Sequence, residues 1–367
     1  MNCLKKIING LIGISFLIVS CSPDPEVKKG FPIGFTPFPY STTSLTEVMD
    51  FVYSKIKTDG NLVAHHFDDG VPWAEALTDA PFPSAVMADW SYRKEHTPTG
   101  HQVYVSITPI HLSRSGLASN KNESGGNQPL PSPWNGYTFN TPQVKTAYLN
   151  YAKRIVAYFN PQFLAIGIES NLLKINQPSE WSHYIELNHF VYTELKKLYP
   201  TLPIFVSVTG FDLAGYTDAN VTDQKSALND LLADSDYFGL SLHPQLSSFL
   251  ANEVPSETVL QSILSLSNKP IAICETSYPA QEATLLGGTV VYNGSAAKQK
   301  QFFQNLFAMC ARHDTRFMVN FIVRDYDLLW QQIGSPDDFN KIWRDTGFYD
   351  ENGTERDVMK VWRGQLH

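Results

Sequence analysis

Two glutamates draw attention because each closes an apolar run that carries no other charge: Glu169 in FLAIGIE (163–169) and Glu275 in PIAICE (270–275). Burying a carboxylate costs several kcal/mol unless it is paired. A structural ion pair with Arg or Lys would meet that cost, but none of the eight strand-like runs of the chain contains either residue. The other way to use the pair is chemistry. Two carboxylates about 5–5.5 Å apart can hydrolyse a glycosidic bond, one attacking the anomeric carbon while the other protonates the leaving oxygen. Their surroundings must then keep one ionised and the other protonated.

A second polar cluster is HHFDDGVPW (65–73). Neighbours on a strand point to opposite faces, so His65 and His66 cannot both face one site. His66 and Asp68 are therefore candidate contacts to sugar hydroxyls. A metal-dependent hydrolase is a third reading that this spacing does not favour, because the stretch has no His-x-His pair. Trp73, Trp134, Trp181 and Trp330 follow the second, third, fourth and eighth strand-like runs. Sugar rings stack their C–H faces on aromatic rings. Trp73, Trp134 and Trp330 are candidate substrate contacts, with Trp134 or Trp330 expected to line the cleft. The plain alternative is that each Trp packs its own loop.

Something must hold these residues together. The apolar runs are FPIGFTPF, NLVAHHF, QVYVSITPI, FLAIGIE, PIFVSVTG, YFGLSLHP, PIAICET and FMVNFIV. Several are almost wholly apolar, as parallel strands buried on both faces are. Helical patterns lie between them. Ser44 and Glu47 read as a capping box. Thr141 followed by Pro142 opens QVKTAYLNYAKRIVAYF, where Ala147, Tyr151, Ile155 and Phe159 recur every four residues. A poorly marked helix is expected near SAVMADWSYRKE. Eight strands alternating with helices predict an α/β fold, a single (β/α)8 barrel over residues 31–367. A doubly wound sheet is the alternative, but GFTPFPYS after the first strand is no glycine-rich phosphate turn. The long polar loops at 111–140 and 276–295 would then lie on the C-terminal face, where barrel active sites are built.

Composition narrows the partners. The 367 residues carry a net charge of −8 and show no basic cluster, which excludes a phosphate-backbone partner. Lys5 and Lys6 precede a 14-residue apolar stretch, too short for the roughly 20 residues of a membrane span. It ends in IVSC, and Cys21 resembles the acylated cysteine of a bacterial lipoprotein. This predicts a signal peptide at 1–20, a tether at 21–30 and a lipid anchor in the cell envelope. Cys274 and Cys310 sit in apolar surroundings and read as inert thiols, with Cys274 expected to face the helices. No cysteine spacing suggests zinc, and no cofactor is expected.

Glu at the ends of the fourth and seventh strands resembles the signature of the clan A glycoside hydrolases. DYFGLSLHP (236–244) is similar to the clan's sixth strand, ICETSYP to its seventh, and TGFYDENGTERDVMKVWR to its C-terminal stretch. Among families, the arabinogalactan endo-1,4-β-galactanases are the ones it most resembles. The resemblance implies a carbohydrate substrate, Glu169 as acid/base and Glu275 as nucleophile. Clan members place Asn before the acid/base; here Ile168 stands there, and Asn171 is the candidate substitute. Where the clan has Tyr near the nucleophile, His243 stands in; for the aromatic platform after strand eight, Tyr326 or Trp330. The missing Asn supports an alternative, a non-catalytic glycan-binding lipoprotein on the same scaffold.

Overall fold

The computed structural model describes residues 30–249, 253–335 and 338–366. The leader, the tether and Cys21 lie outside the described residues. Eight parallel strands form the wall: β1 Ile33–Phe35, β2 Leu62–Phe67, β3 Gln102–Ile107, β4 Phe163–Ala165, β5 in two segments, Ile204–Phe205 and Ser207–Thr209, β6 Phe238–Leu242, β7 Ile271–Thr276 and β8 Thr315–Asn320. Each pairs with the next, and β1 pairs with β8. The ring closes through β5, whose first segment pairs with β4 and whose second pairs with β6. All eight expected strands are present, and the fold is a (β/α)8 barrel.

Helices cover the outside: α1 Leu45–Asp59, α2 Ser84–His96, α3 Pro142–Phe159, α4 Trp181–Leu198, α5 Val221–Ala233, α6 Glu257–Leu264, α7 Ala296–Cys310 and α8 Val358–Arg363. Helix α3 buries Ala147, Tyr151, Ile155 and Phe159, as its four-residue recurrence predicts. Ser44 does not form the expected capping box. It adopts a left-handed conformation, and its side chain makes no cap hydrogen bond. The weakly marked α2 is capped instead from outside: the Ser84 and Ala85 amides donate to the Glu123 carboxylate at 2.6 and 3.1 Å. Glu123 sits at the turn of a hairpin, Asn120–Asn122 with Gly125–Gln128. The other long loop also carries a hairpin, Glu282–Leu285 with Val290–Asn293. The sequence marks both stretches only as long polar loops.

The lumen is filled rather than open. Leu62 and Ala64, Tyr104, Phe163 and Ala165, Phe205, Ala272 and Cys274, and Phe317 and Val319 pack into one cluster. Cys274 therefore faces the lumen, not the helices as expected. Burial pushes its thiol up to about 12, which disfavours the reactive thiolate. On β6, strict alternation sends Gly239 and Ser241 inward, while Phe238, Leu240 and Leu242 join the outer core. Gly239 has no room for a side chain: a Cβ there would lie 2.5 Å from the Val206 carbonyl oxygen and 3.1 Å from Cys274 Sγ.

Candidate active site

Glu275 reaches the barrel mouth because β7 breaks its own alternation. With Ala272 and Cys274 both inward, a regular strand would turn Glu275 outward. The ladder instead slips: Ile273 pairs with Leu240 and Glu275 with Ser241, two residues opposite one. The same slip appears against β8. Such a bulge re-aims a side chain, a device common beside active sites. Cys274 is the extra residue, and Glu275 takes the inward position.

Glu169 lies four residues past β4 in a left-handed conformation, φ 49°. A non-glycine residue pays about a kcal/mol or more for that geometry, so its surroundings must enforce it. They do: its amide donates to Ser207 Oγ at 3.0 Å, and the next amide, Ser170, donates to the Ser207 carbonyl at 2.9 Å. The carboxylate accepts from Arg114 Nη2 at 3.1 Å. Arg114 is buried and also forms a two-pronged pair with Asp68, at 3.0 and 2.8 Å.

Asp68 follows β2, and His66 lies on it. His66 shares a hydrogen bond of 3.1 Å with Ser106 Oγ and stands 3.9 Å from Asp68. His65 faces the other way, against Phe159 and Thr97 Oγ1, so the pair divides between two faces as expected. His243 Nε2 stands 4.0 Å from Glu275 Oε1. Its Nδ1 is 2.8 Å from Ser277 Oγ, which accepts from Gln245 Nε2 at 2.6 Å. The Ser277 hydroxyl, with one proton and two lone pairs, fits either tautomer of His243 at this contact.

Charge explains the titration. Asp68 and Glu169 share the Arg114 guanidinium, whose charge also reaches Glu275. Burial, with the charges of Glu169 and Asp68, raises Glu275 from its ordinary 4.5 to about 7 against the pull of His66 and Arg114. Burial would also raise Asp68, but His66 and Arg114 outweigh it and hold the carboxyl below its usual range. Burial disfavours the charged imidazole of His66; the carboxylates of Asp68 and Glu275 reverse that and raise it. Burial, with the charge of His66, lowers His243 to about 3, so it is neutral.

The structure brings together Glu169, Glu275, His66, Asp68 and His243. Other expected contacts it places elsewhere. Trp73 and Trp134 stack on each other in the core at 5.4 Å, and the Trp73 indole donates to the Ala118 carbonyl at 2.9 Å. They pack the loops after β2 and β3 and reach no cleft. Trp181 is likewise buried and donates to Asp230 at 3.0 Å. Asn171 is fully buried, its amide engaged by Thr209 and Gln224, so it cannot replace the Asn missing at 168. Tyr326 is buried against Phe38, and the half-buried Trp330 has Lys341 and Arg344 over its ring. The aromatic beside the site is Trp343, edge-on to His243 at 4.7 Å and packed on Phe321.

Sequence reasoning missed Arg114, Ser277 and Trp343. Arg114 was the one basic residue in the loop between β3 and Lys121, the only signal available. Among the described residues, three carboxylates within 4.8 Å of one another, Asp325, Asp327 and Asp345, have metal-like geometry. Arg356 holds Asp325 at 2.5 Å, and Arg344 holds Asp345 at 2.8 Å and Asp327 at 3.1 Å, so two guanidinium groups already offset that charge.

No family model and no curated protein sequence matches the chain. Solved structures do. A GH5_18 protein from Bifidobacterium longum subsp. infantis superposes with a TM-score of 0.63 at 12% identity, over 92% of this chain and 78% of that one. The barrel is a shared fold. An exo-beta-1,4-mannosidase from Opitutaceae bacterium strain TAV5 gives 0.61 at 12% identity, over 91% of this chain. The chain spans 59% of that mannosidase's length. A fungal beta-1,4-galactanase gives 0.55 at 13% identity, over 90% of this chain and 99% of that one.

Proposed function

We propose that the chain is a retaining glycoside hydrolase, with Glu275 as nucleophile and Glu169 as acid/base. The observation that carries this is the delivery of two carboxyl groups to one barrel mouth by two costly devices, a bulge in β7 and a left-handed residue after β4. In the forward step a Glu275 oxygen bonds to the anomeric carbon as the glycosidic C–O bond breaks. Glu169 gives its proton to the leaving oxygen. Water then attacks the glycosyl-enzyme, Glu169 takes its proton, and the Glu275 ester bond breaks. His243 stands beside the attacking carboxylate, with Nε2 4.0 Å from Glu275 Oε1. A glycosidase is also what the named mannosidase and galactanase structures on this fold suggest, and β-1,4-linked mannose and galactose oligomers are the first substrates to try. We further propose that Cys21 anchors the enzyme in a bacterial envelope; mass analysis of the mature N-terminus tests that directly.

One observation favours a second reading, a glycan-binding protein without turnover. Arg114 holds Glu169, and the acid must leave that grip before it can carry a proton to a leaving group. Variants decide between the two. Glu275→Ala should abolish hydrolysis of every substrate. Glu169→Ala should lose natural oligosaccharides yet retain aryl glycosides, whose leaving groups need little acid help. Full activity in the Glu275 variant would end the enzymatic reading; the opposite pattern between the two variants would exchange the roles.

A further inference from the structure

Ser241 is buried on the lumen side of β6, and its hydroxyl oxygen has no hydrogen-bond partner among the described residues. Buried polar groups are rarely left so, and an orphan facing a cavity marks a place for a ligand. Ser241 does face one. A cavity of about 180 Å³ above β5 is lined by Glu169, Thr209, Asp212, Ser241, His243 and Leu246, among others. A second, of about 440 Å³, continues past Leu246 between Gly215–Asp218 and Gln245–Ser248. Together they are within the range of roughly 300–1,000 Å³ typical of small-molecule sites.

The position of this trench within the catalytic geometry is asymmetric. Glu169 lines it and Glu275 does not. In the displacement proposed above, the nucleophile attacks from the face opposite the departing group, and the acid stands beside it. A space bordered by the acid alone is on the leaving-group side. Its chemistry is that of a neutral, hydroxylated ring. Ser241 offers a free hydroxyl. Asp212 accepts from Thr217 Oγ1 at 2.7 Å through Oδ1, and its carboxylate lines the cavity. Leu172, Phe211 and Leu246 give apolar surface for C–H faces. Among the described residues no Arg or Lys lines either cavity, and carboxylates do, so an anionic leaving group is disfavoured.

We infer that this trench is a leaving-group subsite for a neutral sugar, with Ser241 and Asp212 as its hydroxyl-recognising residues. The protein then acts within or at the end of a glycan chain rather than on a small non-sugar aglycone. This rests on the acid/base role of Glu169. The test compares neutral β-linked trisaccharides of manno, galacto and gluco configuration with the 4-nitrophenyl glycoside of the same sugar. In Ser241→Ala and Asp212→Asn, the ratio of kcat/KM for trisaccharide to that for aryl glycoside should fall about tenfold, the scale of one lost hydrogen bond. An unchanged ratio overturns the subsite while leaving the hydrolase reading intact. If no substrate turns over, the same trisaccharides are titrated against Glu275→Gln with and without the two substitutions. Binding weakened about tenfold supports the subsite. Equal affinity, or no binding of any trisaccharide, overturns it.

Discussion

At the scale of single residues, Glu275 is the pivot, and its raised pKa has consequences for both stability and rate. Between its ordinary 4.5 and about 7 the folded protein holds a proton that the unfolded chain has released. Stability from this group is therefore lost as pH rises through that window. Glu275→Gln mimics the protonated form. It should match the wild type near pH 4 and exceed it by about 3 kcal/mol at pH 8, at 1.36 kcal/mol per pKa unit; denaturant unfolding at the two pH values measures this. The rate follows the opposite sign. The nucleophile role proposed for Glu275 requires it ionised, so kcat/KM should climb as pH rises through about 7, the value set in the free protein. A profile already flat at pH 5 would show that Glu275 does not have to ionise for attack. The paired glutamates were legible because uncharged strands ending in acids are costly. Arg114 was not, since nothing in the spacing of a polar loop says which side chain folds inward to two carboxylates.

Elements show where pattern reading works and where it stops. Eight apolar runs and their helices were legible from periodicity and length, because burial on both faces of parallel strands leaves few alternatives. The tryptophans misled. Their places after strand ends put them near the correct face, but position along the chain does not distinguish a ring stacked on its own loop, like Trp73 on Trp134, from one offered to a ligand. Caps were also unreadable where the capping group is remote, as with Glu123 over α2. Close packing under the site is a further constraint that sequence alone does not show. Gly239→Val would drive a side chain into the Val206 carbonyl and Cys274, and should cost about 1–3 kcal/mol of unfolding free energy, the usual penalty of overpacking.

Over the whole molecule, the last helix ties the barrel shut. Trp362 on α8 is fully buried among Phe35, Phe303, Phe307 and Phe348, and its indole donates to the Asp59 carbonyl at 2.7 Å. Arg363 and Tyr349 hold the Asp59 carboxylate at 2.9 and 2.7 Å. Residues some three hundred positions apart in the chain thus share one cluster. Trp362→Ala should cost about 3–5 kcal/mol, as large-to-small changes of buried aromatics do, and the loss should appear in chemical unfolding as a lower midpoint with an unchanged slope.

The bulge in β7 also bears on how this chain is compared with others. Insertions are ordinarily assigned to loops, and an alignment that obeys that habit will slide every residue after Ile273 by one. Cys274 is an insertion inside a strand, surplus to both neighbouring ladders. A relation whose seventh strand is one residue shorter would carry its glutamate in register with Glu275, and the gap belongs opposite the cysteine. A comparison made on ungapped strands would miss that register.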